Sequence, residues 1–350
     1  MAGDSERSLL TIQHRPDRHV TYGELHPFAY DDTLQCWCVF DKGMIAAILQ
    51  SDRFHVVPYA EHYREIEQRT GIDFGGIITA LDSIPLANEG ADHRRLRAEF
   101  AAVMGAAGRN AVKATEEYVA ALVRDAFAAG STIDLTDLGA KIYNHVFSLW
   151  LGIDQGEIVD KSDFSQVFDR TRSLNRRKQL NQNLTRLIAA FTERHDLSTS
   201  PEIAVAMNVV GRDAFVGSIV LSIWETLSRS PGARLSEIAF AESLPATGVP
   251  YVERLAQDDA TLGGMTVRKG DRLRVFLDAT ARYVSGEEAN LLFGKGRHLC
   301  LGKPMTLVVW RALVATAGTL SARFTPVEFR MREGDYVFSY PDRAVVRFHE

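Results

Sequence analysis

Residues 293–302 read FGKGRHLCLG, with three glycines around Cys300, and an apolar helical pattern follows directly from residue 303. Glycine adopts backbone angles that other residues avoid, so a loop rich in it can approach a flat cofactor closely. Cys300 precedes the predicted helix start, where amide N–H groups and the helix dipole favour negative charge without a neighbouring cation. A thiolate held in this way is a good axial ligand for haem iron. The alternative is a buried structural cysteine in a glycine-rich turn.

Six positions of this segment share one spacing pattern. They match F-G-x-G-x-H-x-C-x-G and are Phe293, Gly294, Gly296, His298, Cys300 and Gly302. The segment resembles the haem-binding loop of bacterial cytochrome P450s. The resemblance implies that Cys300 is the proximal ligand of the iron in haem b (iron protoporphyrin IX), that Phe293 shields the sulfur and that His298 contacts a haem propionate. Gly302 completes the implied cofactor-binding loop.

Two upstream segments extend the resemblance. Residues 93–97, HRRLR, are similar to the H-x-x-L-R segment of the P450 helix that crosses the haem edge. His93 and Arg97 would then hold propionates by charge-assisted hydrogen bonds. Residues 250–254, PYVER, are similar to a P450 strand that carries an arginine for a propionate, and Arg254 occupies that position.

The segment 210–214, VGRDA, lies where the resemblance implies the oxygen-side machinery. Gly211 would leave room for dioxygen or substrate above the iron, and Asp213 would relay protons. The alternative for Asp213 is a partly buried carboxylate that pairs with a basic neighbour. Arg212 is a candidate anchor for an anionic substrate group. Ala214 stands where the family has a threonine.

Three further features depart from the family. The family has E-x-x-R in a segment where this chain has Glu242 and Pro245, so the bracing arginine is absent. We expect Glu242 to find another arginine, a backbone donor or solvent, because an unpaired buried carboxylate is costly. The region between 151 and 203, which corresponds to the substrate-access lid, is short. The stretch between 278 and 293 is also short.

Composition excludes several functional classes. The 350 residues carry 40 Lys+Arg against 45 Asp+Glu, a net charge of -5, which gives no support for nucleic-acid binding. Three cysteines are too few for a disulfide scaffold and fit a reducing, cytoplasmic compartment. The first ten residues lack a signal-peptide core. The apolar runs are too short or too interrupted for a membrane span. No linker divides the chain, so we expect a single domain over 1–350.

Hydrophobic periodicity predicts a mainly α fold with a minor β part. Helices are predicted at 41–51, 98–130, 135–153, 164–195, 203–229, 236–244 and 303–320. Strands are predicted at 33–40 and in the strand-and-turn region that ends near 283, and a hairpin is predicted at 335–350. The resemblance places haem between the long central helix, 203–229, and the helix after the cysteine loop.

The resemblance implies a haem-thiolate oxidoreductase, in the first place a monooxygenase of a small organic molecule in a specialised pathway. The chain has no flavin or iron–sulfur pattern, so electrons would come from a ferredoxin and its reductase. Lys295, Arg297 and Lys303 could form a basic docking patch for the ferredoxin. Two alternatives remain open. One is P450-like chemistry without monooxygenation, such as peroxide-driven oxidation, rearrangement, dehydration or nitrogen–oxygen chemistry. The other is a non-catalytic haem-binding partner protein.

Overall fold

The computed structural model describes Leu9 and residues 25–129, 132–154, 164–281, 291–332, 334 and 337–349. The predictions made on residues 1–8, on 155–163 of the short lid and on 282–290 of the short stretch before the cysteine loop lie outside these ranges. Nine α-helices occur within the described ranges: α1 Lys42–Gln50, α2 Tyr59–Thr70, α3 Gly75–Asp82, α4 Gly90–Ala106, α5 Gly108–Ala129, α6 Leu135–Leu151, α7 Leu174–Thr192, α8 Pro201–Ser228 and α9 Lys303–Ala317.

Ten strands accompany these helices. They are β1 Phe28–Asp31, β2 Cys36–Val39, β3 Phe54–Val56, β4 Thr132–Asp134, β5 Tyr251–Ala256, β6 Ala260–Leu262, β7 Met265–Val267, β8 Arg272–Phe276, β9 Arg323–Met331 and β10 Pro341–His349. The largest sheet has the order β1-β2-β8-β5-β3, in which β2 and β8 run parallel and the other neighbours are antiparallel. The order β4-β10-β9 forms a second sheet, and β6 pairs with β7. The predicted mainly α fold with a minor β part is confirmed.

The central helix α8 is the core of the molecule. Ser200 caps it by accepting a hydrogen bond from the Ile203 amide, and Pro201 occupies the first turn, where the missing amide costs nothing. Its apolar residues are buried on almost every side, as the sequence pattern predicts. Among the described helices α8 is the one long and apolar enough to cross a membrane, but 83% of its apolar window is buried inside the protein. That burial is typical of a core helix.

Two predicted helices are shorter than their periodicity indicates. The pattern over 98–130 is divided at Ala107, because Gly108 has a φ of +58° and lets the chain turn between α4 and α5. The pattern over 164–195 contains a buried 3₁₀ turn, Phe164–Phe168, and α7 starts only at Leu174. Side-chain bonds to the backbone end the turn and begin the helix, since Asp169 accepts from the Thr171 amide and Ser173 from the Arg176 amide.

The predicted helix at 236–244 is wrong. Only a 3₁₀ turn, Leu235–Glu237, forms there, and the chain continues without regular structure. Ile238 and Phe240 pack against the main core, and two residues' separation places both on one side of an extended chain. The indole of Trp310 donates to the Ala241 carbonyl at 2.9 Å, so α9 holds this irregular segment in place.

The predicted hairpin at the end of the described chain is formed by a different pair of segments. The hairpin joins β9 with β10, so residues 341–349 form one strand that pairs with 323–331. Residues 335 and 336 lie outside the described part of the chain. Within the predicted strand-and-turn region, Gly263 and Gly264 adopt positive φ in the turn between β6 and β7.

A buried carboxylate ties the large sheet to the helical part. Glu253 accepts hydrogen bonds from Arg272 at 2.6 Å, from Arg274 at 3.3 Å and from the Tyr59 hydroxyl at 2.9 Å. Arg170 lies 3.9 Å away on the segment before α7. Burial raises the pKa of Glu253, but the surrounding arginines outweigh it and lower the pKa to about 2. Four elements therefore depend on one negative charge.

We predict that Glu253→Gln lowers the free energy of unfolding by about 3–5 kcal/mol, because it leaves buried arginines without their anion. The wild-type contribution is fully present above pH 4.5 and is lost as the pH falls through about 2, since the folded-state pKa is depressed. Urea unfolding at pH 7 measures the difference. Glu328→Gln, which removes the exposed partner of Arg343, is the control and should change little. Equal effects of both variants contradict the prediction.

Candidate functional site

The cysteine loop folds as a tight turn in front of α9. A 3₁₀ turn covers Gly296–His298, and the Cys300 amide donates to the Phe293 carbonyl at 3.0 Å. Gly294 and Gly296 have φ values of +74° and +71°, which side chains rarely adopt. A Cβ at Gly296 would lie 2.7 Å from the Leu49 carbonyl oxygen, so the loop also needs glycine here to pass α1 closely. The predicted glycine-dependent turn is present.

The Cys300 side chain is open to solvent space, although protein surrounds it closely enough for desolvation to dominate its acidity. We call the surroundings of this accessible but desolvated sulfur the Cys300 recess. Burial raises the pKa of the thiol, while amide N–H groups of Gly302 and Lys303 and the charge of Arg97 lower it by less. The amide groups at the helix start thus favour the thiolate, as expected, but they are outweighed by burial. A bound metal cation would reverse that balance.

Phe293 and Gly302 flank the sulfur from the two ends of the loop. The Lys303 ammonium lies 5.7 Å from the Phe293 ring centroid, within range of a cation–π contact. Gly302 caps α9, and a Cβ there would make an ordinary contact with the sulfur at 3.7 Å. Contacts between protein atoms therefore do not explain the glycine at 302.

Three of the predicted propionate ligands have buried polar groups. The imidazoles of His93, from α4, and His298, from the cysteine loop, lie 4.2 Å apart between ring centroids. Neither Nε2 of His93 nor either ring nitrogen of His298 has a hydrogen-bond partner among the described residues. The nearest approach is between His298 Nε2 and Glu89 Oε1, at 3.4 Å. Burial lowers the pKa of both imidazoles, that of His93 to about 4, so both are neutral at pH 7.

Arg254 is a buried cation without an anion. It is 5% exposed on β5, and its Nη1 donates to the Glu253 carbonyl at 2.8 Å. Within the described ranges no carboxylate approaches its guanidinium within 4.0 Å, and burial lowers its pKa to about 10. Burial also lowers the pKa of Arg97, and the charge of Cys300 raises it by less. Because buried charges are normally paired, these cations and the bare imidazole nitrogens fit the carboxylates of a haem edge.

Glu89 organises this cluster and has no motif that would reveal it in the sequence. It precedes α4, accepts from the Val56 amide at 2.8 Å and pairs with Arg297 at 3.2 Å. Burial raises its pKa, but the close approach of His298 and the hydrogen bond from the Val56 amide outweigh it and lower the pKa to about 2. Its only sequence signal is an acidic residue just before a helix, which is also common in ordinary helix starts.

Gly211 on α8 is packed differently from the prediction. A Cβ at Gly211 would lie 2.4 Å from Cζ of Phe147, so the glycine lets α8 pack against the ring on α6. The prediction that Gly211 opens space for dioxygen or substrate is therefore corrected: the Phe147 ring occupies that space. The glycine signal was read correctly, but sequence alone does not show which neighbour approaches.

Asp213 is a buried, ion-paired carboxylate. It is 2% exposed and pairs with Arg332 at 3.1 Å and with Arg212 at 3.5 Å, and the Ser165 hydroxyl donates to it. Both guanidiniums also lie over the Tyr340 ring, at 5.6 Å for Arg212 and 4.3 Å for Arg332. Asp213 thus fits the alternative interpretation, a buried carboxylate that pairs with a basic neighbour. The charge of Arg212, a candidate anchor for an anionic substrate group, lies against this protein carboxylate.

The chain after residue 245 lies directly on the centre of α8. The Ser218 hydroxyl donates to the Ala214 carbonyl at 2.6 Å and accepts from the Gly248 amide at 2.8 Å. A Cβ at Gly248 would lie 2.5 Å from the Ala214 carbonyl oxygen. Glu242 is exposed, so of the three outcomes expected for it, solvent is the one observed.

Three solved structures match this architecture over nearly the whole chain. P450BioI in complex with hexadec-9Z-enoic acid ligated acyl carrier protein is 18% identical, with a TM-score of 0.72, and the match covers 97% of this chain and 98% of that one. CalO2 is 19% identical, with a TM-score of 0.76 and coverage of 95% and 96%. A thermophilic cytochrome P450 from Sulfolobus tokodaii is 18% identical, with a TM-score of 0.68 and coverage of 96% and 100%. The chain has the cytochrome P450 fold.

Sequence comparison alone does not reach this result. No protein-family model matches the chain, and no curated protein matches it. The P450 fold predicted from ten residues of one loop is thus confirmed by three-dimensional similarity at identities below 20%.

We predict that Gly296→Ala destabilises the P450 fold more than Gly270→Ala does. Both glycines have positive φ, but only a methyl group at 296 meets a backbone oxygen, since nothing lies within 4 Å of a Cβ at 270. The backbone conformation alone costs about 1–2 kcal/mol in each variant. Thermal unfolding measures the additional destabilisation of Gly296→Ala. Equal losses of stability in the two variants would show that the close approach to the Leu49 carbonyl is unimportant.

Proposed function

We propose that this chain is a cytochrome P450 that binds haem b through the Cys300 sulfur and oxidises a small organic molecule. The observation that carries the proposal is an accessible, desolvated sulfur on a glycine loop, together with two buried imidazoles whose nitrogens lack hydrogen bonds and a buried arginine without a carboxylate partner, all within the described residues. Haem bound by a thiolate supplies dioxygen activation, because the sulfur donates electron density that favours O–O cleavage.

The residues of the recess would bind the two propionates of the cofactor. Arg254 and Arg97 supply positive charge, and neutral His93 and His298 donate ring N–H groups. Glu89 Oε1 lies 3.4 Å from Nε2 of His298. Phe293 would shield the sulfur, as the resemblance implies. The buried charge of Arg254 is thereby compensated, which couples cofactor binding to the stability of β5.

Electrons would come from separate partners, a ferredoxin and its reductase. The proposed docking patch is smaller than the sequence indicates, because Arg297 pairs with Asp52 and Glu89. Lys295 is exposed beside the loop, and Lys303 is half-buried against Phe293. These two ammonium groups are the remaining candidates for contact with an acidic partner.

A second candidate function is favoured by the distal side. Asp213 is held by two arginines and a serine, so proton delivery from it would require Arg332 to release its carboxylate. Ala214 has no hydroxyl to continue a proton relay. Chemistry that needs no such relay, such as peroxide-driven oxidation, rearrangement, dehydration or nitrogen–oxygen chemistry, fits this arrangement. A non-catalytic haem protein is the remaining alternative.

The central test is an absorption spectrum of the reduced, carbon-monoxide-bound protein. We predict the red-shifted Soret band of a thiolate-bound haem, and its complete loss in Cys300→Ser, because the serine oxygen is a poor substitute for the sulfur. Cys38→Ala, which removes another buried thiol, should keep the band. A band at the shorter wavelength of a histidine or thiol ligand in the wild type contradicts the proposal.

Ala214→Thr separates the two candidate reactions. With NADPH and a surrogate ferredoxin system, we predict that the monooxygenase releases less hydrogen peroxide per NADPH in this variant, by about twofold or more, since a restored hydroxyl aids proton delivery. Ala121→Thr, an exposed alanine of α5, is the matched control. An unchanged peroxide yield, together with turnover driven by added peroxide alone, contradicts the monooxygenase and supports the second candidate.

A further inference from the structure

An open groove of about 310 Å³ lies between the end of α2 and the start of α7. Its lining consists of Ile66, Arg69, Thr70, Arg172, Leu174 and Arg177. The three charged residues of the lining are all arginines, and none of the six belongs to the cysteine loop or to the residues around it. The volume is that of a small-molecule site.

The arginines of the groove differ in what compensates their charge. Arg177 is 7% exposed and donates to the carbonyls of Arg172 at 3.0 Å and Arg170 at 2.7 Å. Arg69 is exposed at the last turn of α2, and neither it nor Arg177 has a carboxylate within 4.0 Å in the described part of the chain. Backbone carbonyls solvate a guanidinium but do not neutralise it.

Two buried carboxylates near the arginines of the groove are already engaged. Asp169, 1% exposed, pairs with Arg172 at 2.8 Å and accepts from the Thr171 amide. Glu253 pairs with Arg170 at 3.9 Å and with two further arginines of the sheet.

The imidazole beside the groove adds no negative charge. His62 lies 2.8 Å from Nη1 of Arg177, and burial and the two arginines lower its pKa, so it is neutral at pH 7. The groove therefore carries net positive charge in a chain whose total is -5. The first turn of α7 adds the positive end of a helix dipole.

We propose that this groove binds the oxyanion of a small amphipathic molecule, a phosphate or a carboxylate, with its hydrocarbon part against Ile66 and Leu174. The planar guanidinium of arginine presents parallel N–H groups that match two oxygens of such a group. Leu174 is 38% exposed, so an apolar segment bound here removes its surface from water. None of the six lining residues is among those that we propose to hold the haem.

Isothermal titration calorimetry of the full-length protein, as purified, tests the site with three probes: hexyl phosphate, hexanoate and inorganic phosphate. We expect hexyl phosphate or hexanoate to bind with a dissociation constant below about 1 mM, and inorganic phosphate to bind more weakly because it lacks the apolar part. The stronger of the two amphipathic probes identifies which oxyanion the groove prefers.

Arg69→Gln is the main variant, because the residue is exposed and its loss does not threaten folding. It should weaken binding about tenfold, the usual loss for one charged hydrogen-bond partner. Arg186→Gln removes an exposed arginine of α7, the helix that contributes Leu174 and Arg177 to the groove, at a position outside the lining, and should change binding less than twofold. Cys300→Ser should leave binding unchanged, which separates this site from the haem proposal.

Three results overturn the proposal. The first is no binding of any probe at about 10 mM, well above the expected dissociation constant. The second is an equal loss of affinity in Arg69→Gln and Arg186→Gln, which would show attraction to general surface charge. The third is loss of binding in Cys300→Ser, which would place the probe in the haem recess instead.

Discussion

The uncompensated charge around the Cys300 recess is the constraint on which the rest of the site depends. Arg254 is buried on a strand without a carboxylate partner in the described ranges, and the imidazoles of His93 and His298 keep nitrogen atoms without hydrogen bonds. Burial raises the pKa of the sulfur itself. Each of these groups is costly alone, and an iron porphyrin with two propionates would satisfy all of them together. This shared requirement is the basis of the proposal that these elements hold a haem.

The two groups of candidate site residues have opposite character. Around the cysteine loop, buried polar groups lack partners among the described residues, whereas Asp213 on α8 is paired by Arg212, Arg332 and Ser165. Glycines at 211 and 248 allow a ring and a backbone segment to approach α8 closely. The structure therefore supports the proposed haem binding more strongly than it supports proton delivery by Asp213. This asymmetry is the physical reason for keeping two candidate reactions.

Sequence reasoning succeeded where one short segment carries both the chemistry and the local fold. The glycine loop, the helix with His93 and the core helix α8 were predicted because their spacing and periodicity are local properties. It failed at 236–244, where packing of Phe240 and the bond from Trp310 to Ala241 replace a helix by an irregular chain. It also could not find the partner of Asp213, since Arg332 lies 119 residues away in the chain.

The amino-acid sequence by itself determined the P450-like cysteine loop, the mainly α character of the chain and the types of residue that would face a haem. The mainly α character follows from hydrophobic periodicity, whereas the loop and the residue types are implied by the resemblance of short motifs to cytochrome P450s. Only the tertiary structure decided which charges are compensated, which glycines touch a neighbour and where arginines line a groove. Those outcomes depend on distances between residues far apart in the chain, because Coulomb energy and steric contact act through space.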